Sequence, residues 1–201
     1  MLQSSPVLRE MREMVVGKLL HRDHQRREAL LAARTVIDQM RERYRSLERA
    51  TGAPITIHTH SAGQHGPQIV KVLTSEGVDL GRVVLGHSGD AVDHPDYLER
   101  MAQTGLTLGM DRFGIDHFAT FQQRSDLVAE MCRRGYADRM VLAHDTCCYI
   151  DWFGPGALDD LKDWHYLHVS QDVIPYLRDH GVTEAQLDAM LTRTPATILA
   201  G

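Results

Sequence analysis

Cysteine and long apolar runs are scarce in this sequence, and positive charge is outnumbered by negative. Only three of its 201 residues are cysteines, and two of them, Cys147 and Cys148, are adjacent. Neighbouring cysteines are poorly placed to bridge one another, so a disulfide framework is not expected and a reducing compartment is. The roughly twenty consecutive apolar residues that a membrane-spanning helix needs are nowhere found. Near the start, Arg9, Glu10, Arg12, Glu13 and Lys18 break up any run that could serve as a secretory leader. A cytoplasmic protein, without membrane partners, is expected. The net charge of −5 leaves no electrostatic footprint for nucleic acid.

What is present falls into two parts. Residues 1–50 carry eleven Lys and Arg against seven acids, whereas the rest of the chain is net acidic. This basic head reads as helical. Ser5-Pro6 supplies a start for one helix, with Leu8, Met11, Val15 and Leu19 on one face. Leu30, Ala33, Ile37, Met40, Tyr44 and Leu47 recur at steps of three and four in a second, which Gly52 ends.

After Gly52 short β-branched segments alternate with amphipathic ones. Strands are expected at Pro54–Ile57, Val83–Leu85, Leu106–Met110 and Met140–Ala143, with helices over about 67–75, 95–103 and 121–134 between them. Such β-α units build a parallel sheet or a barrel. A long connection over 146–170 follows, carrying Tyr149, Trp152, Phe153, Trp164 and Tyr166, and its length and aromatic content mark it as functional. Two closing helices, about 172–179 and 184–193, end the pattern. The second opens on the capping box Thr183–Gln186.

Each expected strand runs into a charged or metal-ligating residue: His58, His87, Asp111 and Asp145. In parallel barrels the C-terminal strand ends surround the active site. One polar residue there would carry little weight, but two histidines and two aspartates in succession form a ligand set suited to Zn²⁺, Fe²⁺ or Mn²⁺. His58, His87 and Asp145 are the candidate ligands. Asp111-Arg112 reads either as an internal ion pair or as a charged group beside substrate. Cys147 and Cys148 follow Asp145 too closely to share a tetrahedral site and are expected to line a pocket. His60 is expected in the loop beyond its strand and His144 in packing, while the other eight histidines read as surface residues.

The stretches TGAPITIHTHSAG, GVDLGRVVLGHSGD, LGMDRFGID, MVLAHDTCCY, DWHYLHVSQDVIP and TPATIL occur in order between Thr51 and Gly201. Together they resemble the phosphotriesterase-related family of the amidohydrolase superfamily, and Asp111-Arg112-Phe113-Gly114 resembles its lactonase branch. The resemblance implies the C-terminal half, about four β-α units, of a TIM-type (β/α)₈ barrel, preceded here by the N-terminal helices. It implies a hydrolase of lactones and esters, and of organophosphate triesters, using two metal ions bridged by hydroxide and a carboxylated lysine. Zinc is the expected metal, with iron, cobalt or manganese as alternatives.

Carried over, His58 and His87 bind one metal, and Asp145 binds the other and takes the proton. Arg112 matches a substrate-pocket position, and the loop 146–170 matches the one that shapes the leaving-group and acyl-chain pocket; Cys147 and Trp164 within that loop are expected to contact substrate, and longer alkyl chains to be favoured. The family's first strand, with its His-x-His, has no counterpart here, and Gln25, Arg26 and Arg27 stand where the bridging lysine is expected. A truncated or impaired enzyme is therefore expected, one that dimerises or requires a missing N-terminal half. The competing expectation is a catalytically inactive module that binds metal or self-associates.

Overall fold

The computed structural model describes residues 52–60, 63–147, 156, 158 and 161–200. The helices read from the sequence within 1–50 lie outside the described residues, as do Tyr149, Trp152 and Phe153 of the long connection.

Four strands form one parallel sheet in chain order. They are β1 (Ile55–His58), β2 (Val83–Gly86), β3 (Thr107–Met110) and β4 (Met140–Leu142). Helices α1 (Gly66–Ser75), α2 (Pro95–Gln103) and α3 (Phe121–Arg133) make the three crossovers. Parallel neighbours require such crossovers, so every strand points the same way and all C-terminal ends share one rim. The four described strands are half the complement of a closed eight-stranded barrel. Among the described residues no helix is long and apolar enough to cross a membrane.

Burial grades across the sheet. All four residues of β3 are buried, whereas β1 alternates between half-buried Ile55 and Ile57 and exposed Thr56 and His58. The reason lies in the order: β3 has a strand on each side, while β1 pairs only with β2 among the described residues. Leu85, Leu108 and Met110 from the strands pack with Leu98 of α2 and with Val128 and Met131 of α3. Thr120 starts α3 through a capping box, its hydroxyl accepting from the Gln123 amide while the Gln123 side chain accepts from the Thr120 amide. Arg134, just past α3, ties it to α2 by bonding Asp96 and Glu99 as well as Glu130. Cys132 lies within this core, where burial pushes its thiol up to about 11 and leaves it unreactive.

The closing helices are longer than the sequence pattern indicates. A π-helical turn over Val169–Val173 leads into α4 (Ile174–Asp179). After the capping box at Thr183 comes α5 (Glu184–Asp188), and a second π-helical turn, Ala189–Arg193, leads into α6 (Thr194–Ala200). Each π-helical turn stands directly before a proline at the second residue of the next segment, Pro175 and Pro195. Proline removes an N–H and its ring crowds the carbonyl four residues back. Widening the turn before it relieves that clash and lets the helix continue. Proline is thus a deformation here rather than a stop.

Leu108 sits at the centre of β3 with no exposed surface. Leu108→Ala is expected to cost about 2–5 kcal/mol of unfolding free energy, measured by urea titration. The exposed Leu199→Ala is expected to stay within about 0.5 kcal/mol of wild type.

Candidate metal centre

The shared rim collects the residues that the sequence singled out. His58 is the last residue of β1 and stands opposite Gly86 in the parallel register, which brings it beside His87 on the next strand end. Asp111 and Arg112 follow β3 directly. Asp145 lies farther out than expected, because β4 ends at Leu142. His144 and Asp145 therefore do not alternate across a strand, and Asp145 is turned by its left-handed backbone, φ 55°.

Two glycines let the strand ends approach closely. A Cβ on Gly86 would meet the Ile57 carbonyl oxygen at 3.0 Å, and one on Gly109 would meet the Asp111 carboxylate and the Gly86 Cα, both at 3.1 Å. The missing side chains let the Asp111 carboxylate reach back under β2. There one oxygen accepts from the His87 backbone amide at 3.0 Å and the other lies 2.8 Å from His87 Nδ1. A carboxylate can only accept, so Nδ1 carries the proton and Nε2 keeps its lone pair. That Nε2 lies 2.9 Å from His58 Nδ1, with the rings nearly perpendicular at 78°.

His58 is held below the ordinary imidazole range. Partial desolvation is the main cause, followed by the neighbouring His87 and Arg112, against the pull of Asp145 and Asp111. Both rings are thus suited to offering nitrogen lone pairs. Two nitrogens sharing a zinc-like ion at about 2.0–2.1 Å lie roughly 3 Å apart, so the donor spacing fits a metal ion. Orienting a ligating imidazole by a carboxylate on its other nitrogen is also what metal sites do.

Arg112 and Asp145 complete the rim. Arg112 donates to Asp90 at 2.9 Å, its Nε lies 3.5 Å from Asp145, and its guanidinium sits 4.6 Å from the centre of the Phe118 ring. Asp145 Oδ2 is 3.9 Å from His87 Nδ1, the nitrogen that Asp111 holds, and so lies near the side of the ring away from the His58 contact. The three candidate ligands are neighbours, but their donor atoms do not meet at one point. Asp111 and Arg112 do not pair with each other: one orients His87 and the other bridges Asp90 and Asp145.

Backbone strain gathers at the same place. Among the described residues four non-glycine positions have positive φ, and three are His87, Arg112 and Asp145. Each left-handed residue costs on the order of 1–3 kcal/mol and persists only where its surroundings enforce it.

The pattern of charges and periodicity did not single out Asp90 and Arg124, which support this rim. Arg124 is completely buried in α3, and donates to Asp90 through Nε and Nη2 at 3.1 and 2.8 Å and to the carbonyls of Ala119 and Ile115. Its signal was available: an arginine on the same helical face as Leu127, Val128 and Met131. Cys147 is exposed two residues past Asp145, and Trp164 is half-buried with its indole N–H donating to the His144 carbonyl at 3.0 Å. One reading is corrected. His168, taken with the surface histidines, is buried at 4 % exposure because it opens the closing helix against Phe121.

A model of the phosphotriesterase family matches residues 40–199. The chain belongs to the phosphotriesterase family. A phosphotriesterase homology protein of Mycobacterium tuberculosis is 49% identical over 151 residues, which are 75% of this chain and 46% of that protein. The solved structure of the phosphotriesterase from Mycobacterium tuberculosis superposes with a TM-score of 0.72 at 47% identity, over 77% of this chain and 48% of that one. A phosphotriesterase-like lactonase of Deinococcus radiodurans gives 0.68 at 35% identity, over 77% of this chain and 50% of its own. The chain spans about half the length of the relatives it matches. The family's barrel thus accounts for the four parallel units and their common rim.

Asp90→Ala would leave the fully buried Arg124 without the carboxylate it hydrogen-bonds, with only the exposed Asp116 nearby at 3.9 Å. A loss of about 3–5 kcal/mol in unfolding free energy is expected from such an uncompensated ion, measured by denaturant titration. An Asp90→Ala protein as stable as wild type would show that Arg124 finds another partner.

Proposed function

We propose that this chain carries the metal-binding and proton-transferring strand ends of a zinc-dependent hydrolase acting on lactones and esters, with organophosphate triesters as secondary substrates. The observation that carries this reading is the pair His58 Nδ1 and His87 Nε2, 2.9 Å apart, with His87 fixed by Asp111. His58 and His87 would hold one ion, and Asp145 stands beside them as a carboxylate ligand and base. Such an ion polarises a carbonyl or phosphoryl oxygen and makes water nucleophilic near neutral pH. Iron, cobalt or manganese would suit the same donors.

The protein's own part is proton transfer and orientation. Asp145 is about half exposed, with a side-chain accessibility of 45 %, so its carboxylate is open to a water molecule and a substrate at once. It would take the proton from the attacking water as the new C–O bond forms. It would then return that proton to the departing oxygen as the ester C–O bond breaks, leaving an acid and an alcohol. Arg112, anchored on Asp90, limits where Asp145 can point and places a guanidinium beside the substrate oxygen. Cys147 and Trp164 would border the acyl or leaving group. Lactonase chemistry is favoured by the name of the Deinococcus radiodurans relative.

A second reading rests on the sheet. Among the described residues β1 and β4 each pair on one side only, and unpaired strand edges are sites of association. A self-associating, inactive metal-binding module would use those edges, and two copies could complete each other.

Metal analysis and turnover separate the readings. His58→Ala and His87→Ala are each expected to lose most of the ion bound at this rim, whereas His94→Ala keeps it. Asp145→Asn is expected to lower kcat for a lactone by about 10²–10⁴-fold while leaving in place the ion held by His58 and His87. A metal-loaded wild-type chain that sediments as a dimer and turns over no lactone would support the second reading instead.

A further inference from the structure

We propose that Asp163, His165 and His168 form a second, structural site for a divalent transition-metal ion, separate from the strand-end rim. One ligand atom from each of the three lies within 4.8 Å of the others. Exposed acids beside histidines are common without any ion, so proximity alone is weak. The decisive feature is the ring of His168.

His168 is 4 % exposed, and its Nδ1 lies 2.9 Å from the Asp172 carboxylate one helical turn on. Nδ1 therefore donates, and Nε2 is left with a bare lone pair. That Nε2 is fully buried and has no hydrogen-bond partner among the described residues. Protonating it would not help, because a buried N–H would then lack an acceptor. A buried, unsatisfied imidazole nitrogen costs on the order of 1–3 kcal/mol, and a metal ion is the ligand that uses such a lone pair directly. The carboxylate behind the ring is the arrangement that orients ligating histidines.

The other two ligands are held close by the turn. His165 is half-buried, and its Nδ1 accepts from the Leu167 amide at 3.2 Å, so without an ion the ring proton sits on Nε2. An ion bound at Nε2 would take the other tautomer, with the ring proton moved to Nδ1 and the Leu167 amide released. Asp163 is exposed and contributes the negative charge. The turn itself is built tightly: the His165 amide donates to the Asp163 carbonyl at 3.0 Å and the His168 amide to the His165 carbonyl at 3.2 Å.

Two outside contacts fix this turn to the rim. Gly114, with φ +94°, lies so close to Asp163 that a Cβ would meet its carbonyl oxygen at 2.3 Å. Trp164 holds the His144 carbonyl, one residue before Asp145. An ion here would clamp the start of the closing helix to the segments that carry Arg112 and Asp145. Two imidazoles and one carboxylate suit Zn²⁺ or Co²⁺, with the remaining positions taken by water.

The test uses the full chain, stripped with chelator and titrated with Co²⁺. Visible absorption and elemental stoichiometry after gel filtration are the readouts. His165→Ala and Asp163→Asn are each expected to bind one Co²⁺ fewer per chain than wild type, or to bind it at least tenfold more weakly. His58→Ala is expected to keep that ion, and adding His165→Ala to it is expected to abolish binding. Zn²⁺ is expected to raise the melting temperature of wild type and of His58→Ala, but not of His58→Ala/His165→Ala. Neither His165 nor Asp163 lies in the apolar core, so the metal-free variants should melt as the metal-free wild type does. Undiminished Co²⁺ binding in both His165→Ala and Asp163→Asn would overturn the site. So would loss of all bound metal in His58→Ala, which would leave the strand-end site standing alone.

Discussion

The buried carboxylate of Asp90 holds two guanidiniums, and the rim of the sheet is organised around that grip. One oxygen takes both donors of the inaccessible Arg124, and the other takes Arg112. Arg124 belongs to α3, Arg112 to the end of β3 and Asp90 to the turn after β2, so one acid joins three elements at the level where the strands end. Two buried cations around one anion would be unfavourable without further help. The help comes from the Ala119 and Ile115 carbonyls on Arg124, and from Asp145 and the Phe118 ring on Arg112.

This network also explains how strain is tolerated. His87, Arg112 and Asp145 all have left-handed backbones, which β-rich or helical continuations would not impose. Each is locked from outside: His87 by both oxygens of Asp111, Arg112 by Asp90, and Asp145 by the guanidinium it faces. The strained residues lie within three residues of the ends of β2, β3 and β4 and turn their side chains to one patch of the rim. Side chains held in this way are fixed in position in advance. Glycine at positions 86 and 109 is part of the same design, since a methyl group at either would push the strands or the Asp111 carboxylate apart.

Four parallel units from a family whose relatives are about twice as long place the candidate residues on one arc of a barrel rim. The histidine pair comes from the first two units and the acid from the last. The connection beyond Asp145 returns to the rim through Trp164 on the His144 carbonyl and through Asp163 against Gly114. Sequence-distant segments therefore meet where Asp145 must be held, and the proposed second ion would sit at that junction.

The sequence by itself determined the alternation of strands and helices, the parallel sheet, and which residues stand at the strand ends. Hydrophobic periodicity encodes the first two, and the short distance from a β-branched run to the next polar residue encodes the third. His58 and His87 were legible because they follow such runs directly. The continuation of the closing helices past Pro175 and Pro195 was not, because a π-helical turn depends on packing that no local pattern records. Nor were the partners of Asp111, Arg112, Asp90 and Arg124, which lie 22 to 34 residues apart in the chain. The burial of His168 was equally hidden. Those choices follow from which strand lies beside which and from what the helices cover, and only the tertiary structure decides that. A charged or imidazole side chain reads alike on the surface and in the core until its partner is in place.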